Sequence, residues 1–268
     1  MISLRSVSVE GEQGAYPFHC PQVMSLQKRE FTSSVTLLVG ENGTGKSTFL
    51  EALARKLALP AIGLSDAAGD DTLKGLDPLC GAIRLSFGVH ARKGFFLRAE
   101  DFFNFVRRIS QMQADMAREL ARAEAENAHR DAFAQNQARM AYASSLFALR
   151  SRYGDDPDAQ SHGESFLALF KQRIVPGGIY LLDEPEAPLS PMRQLALVSL
   201  LMAREQDSQF IIATHSPILM AYPGADIWCF DEVPVASVAY EELSHVKLMK
   251  DFLSQPRRYM EMLRREGE

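Results

Sequence analysis

Eight consecutive residues, Gly40-Glu41-Asn42-Gly43-Thr44-Gly45-Lys46-Ser47, carry the most specific chemistry in the chain, and Thr48 follows them. Spaced glycines let successive backbone N–H groups turn inward toward an anion, and a helix that starts at the same point adds the positive end of its dipole. A lysine in the seventh place neutralises β- and γ-phosphates, and the hydroxyl after it holds Mg2+. Gly40, Asn42, Gly43, Thr44, Gly45, Lys46, Ser47 and Thr48 are therefore candidate phosphate-binding residues, with Ser47 also a candidate metal ligand. The plainer alternative for the string alone is an ordinary glycine turn.

Two more clusters fit the same chemistry. Asp183 and Glu184 directly follow the apolar run Ile179 to Leu182, which puts both carboxylates at the carboxyl end of a buried strand, where open α/β sheets bind ligands. Asp183 suits a place behind Mg2+, and Glu184 suits the base that orients and deprotonates a water in line with the γ-phosphate. Two acids capping the next helix would be the structural alternative. Thr214-His215-Ser216-Pro217 ends the run Phe210 to Ala213 in the same way, and an imidazole there can donate a hydrogen bond to a γ-phosphate. Ser161-His162-Gly163-Glu164-Ser165 stands just before the helical pattern Phe166 to Ile174. It reads as a second anion cradle at a helix N-terminus or, taken by itself, as a simple cap.

These residues need a scaffold of short strands and helices. Val35 to Val39 reads as the strand before the glycine loop and Thr48 to Leu57 as the helix after it. Ile179 to Leu182 and Phe210 to Ala213 are unbroken apolar runs of the kind found in a parallel sheet covered on both faces, and Pro191 to Arg204 supplies the helix between them. Ile2 to Val9 and Ile83 to Val89 read as strands, the second alternating as a half-exposed antiparallel strand does. Pro60 to Gly81, rich in Gly, Asp and Ala, reads as a loop with at most one helical turn.

From Phe95 to Tyr153 there is neither Gly nor Pro, and twelve of the forty residues from Gln111 to Arg150 are alanine, the best helix former. One helix over Asp101 to Arg150 would be about 75 Å long, too long for a compact domain. A break near Asn127 to Asp131, giving a helical hairpin or short arm, is expected instead.

Length and composition bound the rest. The 268 residues, 46% hydrophobic, suffice for one large α/β domain or two small ones, and 29 basic against 34 acidic residues leave a net charge of −5. That balance offers no overall field for DNA or an anionic membrane. Cys20, Cys80 and Cys229 lie far apart and read as reduced packing residues in a cytoplasmic protein. No segment approaches 18 apolar residues and the first eleven lack a signal-peptide core, so no membrane insertion is expected.

Taken in order, the glycine loop, the Ser-x-Gly-Glu cap, the Asp-Glu strand and the His strand resemble the ABC-type ATPase head. The match runs through Gly40 to Ser47, Ser161 to Glu164, Asp183-Glu184-Pro185 and His215, with 21 residues between Ser161 and Asp183. The strings around these positions, together with Phe-Phe-Leu-Arg-Ala-Glu-Asp-Phe-Phe from Phe95, are similar to the stand-alone predicted ATPases of bacteria, relatives of the SMC and RecF-like group. The resemblance implies an α/β fold, a P-loop NTPase with a mostly parallel central sheet, an antiparallel β subdomain and a helical lobe. It implies one domain over 1–268, with 1–100 and 175–268 as the nucleotide-binding lobe and 101–174 as the helical lobe. ATP and Mg2+ are the implied ligands.

The resemblance also implies a head-to-tail homodimer that sandwiches two ATP molecules. Ser161, Gly163 and Glu164 of one copy would then complete the site at Lys46 of the other, and Glu186 to Ser190 would cross the dimer axis. Glu100, in the position of the family's Q-loop, becomes a candidate near the metal, with Arg98 close to the phosphates or the partner head. Tyr16 and Phe18 are the aromatics available for adenine stacking. His162 and Glu164 depart from the Gly and Gln that transporter subunits carry, and the helices beyond Gln111 exceed what the family core needs, leaving room for a partner protein on the helical lobe.

The expected function is ATP binding and hydrolysis, with Glu184, His215 and Lys46 catalytic, driving closure and opening of paired heads. Alternatives are an ATPase component of a DNA-repair or anti-phage defence complex and the nucleotide-binding subunit of an ABC transporter. Arg107, Arg108, Arg118, Arg122, Arg257, Arg258, Arg264 and Arg265 could meet nucleic-acid phosphates. Asp115, Glu119, Glu124 and Glu126 among them oppose that, as does the net charge.

Overall fold

Strands and helices alternate along the chain in the computed structural model, which describes residues 2–62, 75–88, 93–153 and 162–266. In chain order the elements are β1 (Leu4–Val9), α1 (Pro21–Met24), β2 (Arg29–Glu30), β3 (Val35–Val39), α2 (Lys46–Lys56), α3 (Asp77–Ala82), β4 (Ile83–Phe87) and β5 (Lys93–Arg98). There follow α4 (Ala99–Asn127), α5 (Ala132–Tyr153), α6 (His162–Arg173), β6 (Gly178–Asp183), α7 (Pro191–Met202), β7 (Gln209–Ala213), α8 (Pro217–Met220), β8 (Asp226–Cys229), β9 (Ala236–Ser237), α9 (Ser244–Ser254) and α10 (Pro256–Glu266).

The central sheet has the order β5-β6-β7-β3-β8-β9, parallel except for β9. A smaller antiparallel sheet has the order β2-β1-β4. The register sets Arg98 against Asp183, Asp183 against Ala213 and Leu38 against Ala213. The carboxyl ends of β5, β6, β7 and β3 therefore open on one edge, and the glycine loop leaves from that edge.

Apolar runs form buried strands here because both faces of the sheet are covered. Leu37, Val39, Tyr180, Leu182, Phe210 and Ile212 face one core, which Phe102 and Val106 of α4, Phe166 and Phe170 of α6, and Leu197 and Leu201 of α7 complete. Leu38, Leu181, Ile211 and Trp228 face the other, filled by Phe49, Leu50 and Leu53 of α2 and by Leu4, Val7 and Val9 of β1. A buried polar residue helps to join the two sheets. Gln209 is fully buried, its Oε1 accepts from the backbone N–H of Ser3 (3.0 Å) and Leu4 (2.8 Å), and its Nε2 donates to Leu4 O (3.0 Å).

α4 and α5 fold back on each other as a hairpin, and the turn falls at residues 128–131. Gln135 closes it by donating to the carbonyls of Ala128 (3.1 Å) and Arg130 (2.9 Å), groups that a helix end otherwise leaves open. Arg139 of α5 pairs with Glu124 of α4 at 2.9 Å. At the root, β5 passes into α4 with no residue between, and Phe102 meets Phe166 edge to face with ring centroids 4.8 Å apart.

Two helix starts differ from the sequence expectation. α2 begins at Lys46, so Lys46 and Ser47 belong to the helix rather than preceding it; Gly45 takes the left-handed conformation that lets the chain enter the helix at that point. α6 begins by His162, so Gly163 and Glu164 lie in its first turn. Ser161 lies outside the described residues, as do most of the loop expected between Pro60 and Gly81 and the last residue of the strand expected to reach Val89. The three cysteines are free thiols, and no helix of the described residues is long and apolar enough to cross a membrane.

Candidate functional site

The glycine loop is held in one shape by backbone that only glycine tolerates. Gly40 has φ +145°, and a Cβ there would stand 3.2 Å from the backbone of Phe230 and Asp231; Gly45 has φ +93°, and a Cβ there would reach 2.8 Å from Val23 Cγ2. Asp231 anchors the loop start, accepting from Glu41 N at 2.6 Å. Lys46 curls back into this loop. Its Nζ donates to Gly40 O (2.6 Å) and Glu41 O (2.7 Å), and the residue is 5% exposed. Burial lowers the pKa of its ammonium, against the pull of Asp231, Glu184, Asp183 and Glu41.

Ser47 and Asp183 meet across 136 residues of sequence, Ser47 Oγ donating to Asp183 Oδ1 at 3.1 Å. Asp183 is buried, and burial pushes its carboxyl up to about 7, the Ser47 hydrogen bond acting in the opposite sense. A buried carboxylate beside a hydroxyl at a loop of inward amides is a fitting donor set for Mg2+, which takes one or two protein oxygens and draws the rest from phosphates and water. Among the described residues no group of three or more His, Cys, Asp and Glu could hold a metal by themselves.

Glu184 occupies a left-handed conformation, φ +49°, with its N–H bonded to Ala213 O at 2.9 Å. A non-glycine residue held there is strained, and such strain gathers at functional sites. The turn it makes sends its half-exposed carboxylate toward the neighbouring strand end, where His215 Nε2 lies 3.8 Å from Glu184 Oε1. Burial first, and then Lys46, lower the pKa of His215, which favours the neutral imidazole. Its Nε2 is buried without a hydrogen-bond partner among the described residues.

A crevice of about 430 Å3 opens beside these groups, lined by Ser47, Glu51, Arg98, Ala99, Glu100, Asp183, Glu184 and Ala187. Arg98 pairs with Glu51 at 3.0 Å and stands 3.9 Å from the exposed Glu100. The structure thus brings Ser47, Asp183, Glu184 and Glu100 to one crevice, with Lys46 and His215 beside it. Gly163 and Glu164 are not among the lining residues. Glu164 pairs with Arg193 of α7 at 2.8 Å, and the Arg193 side chain covers Gly163. Tyr16 is 57% exposed and stacks on His19, whereas Phe18 packs against the second core.

Sequence reasoning gave no role to Glu51 or Asp231, and it placed Glu186 only on a loop. Glu186 Oε1 accepts from Thr214 Oγ1 (2.7 Å), His215 N (2.7 Å) and Ser216 N (3.1 Å). The local signal was an acid three residues beyond Asp183; its partners lie about thirty residues on, where no local pattern reaches.

Two family models match segments of the chain. One, described as "AAA domain", covers residues 23–59, which hold the glycine loop and α2. The other, described as "AAA domain, putative AbiEii toxin, Type IV TA system", covers residues 165–221, which hold Asp183, Glu184 and His215. No curated protein matches the chain.

Solved structures that resemble it include the Smc head domain of Pyrococcus furiosus with an extended coiled coil, bound to the C-terminal domain of ScpA. It is 15% identical, with 96% of this chain and 100% of that one covered and a TM-score of 0.43. The SMC head domain from Thermotoga maritima is 14% identical, with coverage of 89% and 99% and a TM-score of 0.40. A nucleotide-free ATP-binding cassette from an ABC transporter is 15% identical, with coverage of 96% and 97% and a TM-score of 0.44. The glycine loop falls inside one matched segment and the strand-end carboxylates with His215 inside the other, so at both places the chain is similar to AAA-domain ATPases.

Proposed function

We propose that this chain binds ATP with Mg2+ in the crevice beside Lys46 and hydrolyses it to ADP and phosphate, and that two copies close on the nucleotide. The observation that carries the reading is the Ser47–Asp183 contact at 3.1 Å, because it joins the glycine loop to the strand-end acids at one point. Lys46 exchanges its two carbonyl partners for β- and γ-phosphate oxygens. Ser47 and Asp183 would hold Mg2+, which would supply neutralisation of the charge that develops on the phosphate oxygens. Glu184 takes a proton from the attacking water, and the neutral His215 donates Nε2–H to the γ-phosphate. Glu100 and Arg98 line the wall of the crevice where the metal and phosphates would sit.

Pairing of two copies is supported by the place of the α6 N-terminus. Gly163 and Glu164 stand outside the crevice of their own chain, as a site completed by a second copy requires. The test is Glu184→Gln, followed by phosphate release and by light scattering with and without ATP. ATP binding should persist, hydrolysis should slow by about 10²-fold or more, and the ATP-bound variant should scatter as a dimer. Normal turnover would assign the water to another residue, and an ATP-bound monomer would mean that one chain completes its own site.

A further inference from the structure

Glu186 is bound more firmly to the neighbouring strand end than to its own segment. All three hydrogen bonds to its Oε1 come from residues 214–216, and two of them come from backbone N–H groups beyond the end of β7, of which Ser216 N also donates to Thr214 Oγ1 at 3.0 Å. The segment it belongs to is stiff. Glu184 N bonds to Ala213 O, Ala187 N donates to Glu184 O (3.0 Å), and Leu189 N donates to Glu186 O (2.8 Å). The turn it grips is anchored elsewhere as well: Thr214 N donates to Leu38 O (3.1 Å), and Ser216 Oγ donates to Gln194 Oε1 of α7 (2.6 Å). One carboxylate oxygen thus stands between the segment that carries Glu184 and the turn that carries His215. The direct approach of those two side chains is only 3.8 Å, too long for a hydrogen bond to fix it.

We propose that Glu186 is a positioning residue for ATP hydrolysis: it clamps the 214–216 turn to the 184–189 segment, so that the His215 imidazole and the Glu184 carboxylate keep one spacing about the γ-phosphate. This inference rests on the reading of the crevice as an ATP site. Through the clamp, any displacement of the 186–190 loop is handed to the imidazole.

The test joins a nucleotide-free measurement to turnover. In the protein without nucleotide, the His215 imidazole is titrated by 15N NMR in the wild type, Glu186→Ala and Glu186→Gln. Loosening the turn in Glu186→Ala moves the His215 titration toward the ordinary histidine value, whereas Glu186→Gln, which keeps Oε1 for all three donors, leaves it close to the wild type. In turnover, Glu186→Ala lowers kcat by about 10²-fold with KM changed less than about threefold. Glu186→Gln restores kcat to within about tenfold of the wild type. The double variant Glu186→Ala/His215→Ala is no slower than the slower single variant, since the two act as one unit.

An unchanged His215 titration in Glu186→Ala, or a double variant that loses the product of the two single factors, overturns the proposal. If the wild type itself does not turn over ATP, the reading of the crevice fails and the titration alone decides the clamp. Should the alanine variant not fold, Glu186→Asp, shorter by one methylene, carries the same comparisons.

Discussion

Removing the buried charge at Asp183 should stabilise the nucleotide-free protein, and the gain should grow with pH. The folded carboxyl titrates at about 7 against an ordinary 3.8, because burial penalises the anion. A carboxyl raised in the folded state holds its proton longer than in the unfolded chain, so its contribution to stability falls as pH rises from about 4 to about 7 and is level above that. At 1.36 kcal/mol per pH unit, this loss amounts to at most about 4 kcal/mol at pH 8, where the folded carboxyl is ionised, and under about 2 kcal/mol at pH 5, where it is still protonated. Asp183→Asn keeps an oxygen for the Ser47 hydroxyl and carries no charge at either pH. Its advantage over the wild type should therefore be larger at pH 8 by about 2 to 3 kcal/mol, or roughly 5 to 10 °C in Tm. Thermal denaturation of both proteins in EDTA at pH 5 and pH 8 measures this. Mg2+ with ATP should then raise the Tm of the wild type and leave that of Asp183→Asn nearly unmoved. An equal Tm difference at the two pH values, or a destabilised variant at pH 8, would refute the argument that burial governs this carboxyl.

Two other substitutions separate site from scaffold. Lys46→Ala removes the principal countercharge to the triphosphate and should abolish ATP binding in calorimetry while leaving the fold intact by circular dichroism; undiminished affinity would remove the loop assignment. Gln209→Ala strips partners from two buried backbone N–H groups and one carbonyl between the sheets. It should cost about 2 to 4 kcal/mol in urea denaturation, and a loss below about 1 kcal/mol would mean that water replaces the side chain.

Much of the central fold was legible because its signals are local. The run Val35 to Val39 and the glycines after it announce strand and loop within a dozen residues, and Ile179 to Leu182 and Phe210 to Ala213 each end in the polar groups they present. The hairpin turn was legible from length, since a rod of that many alanine-rich residues has nothing to pack against. What stayed hidden depends on contacts far apart in sequence. Gln209 reads as one polar residue before an apolar run, and its partners are more than two hundred residues away. Asp231 holds the start of the glycine loop from 190 residues on, beyond any periodic pattern. The short strands β8 and β9 exist because a neighbour pairs with them, and two to four residues of sequence do not announce that.

The direct passage of β5 into α4 makes the hairpin a lever with its fulcrum in the crevice wall. Arg98 and Ala99, which line that wall, are the last residue of the strand and the first of a 29-residue helix. From the Phe102 contact to Asn127 the helix runs about 37 Å, so a tilt of only about 5° at its root sweeps the far end through about 3 Å. A tilt of that size, set up by a shift around Ser47 and Asp183, would be felt most at the outer tip, with no hinge needed in between.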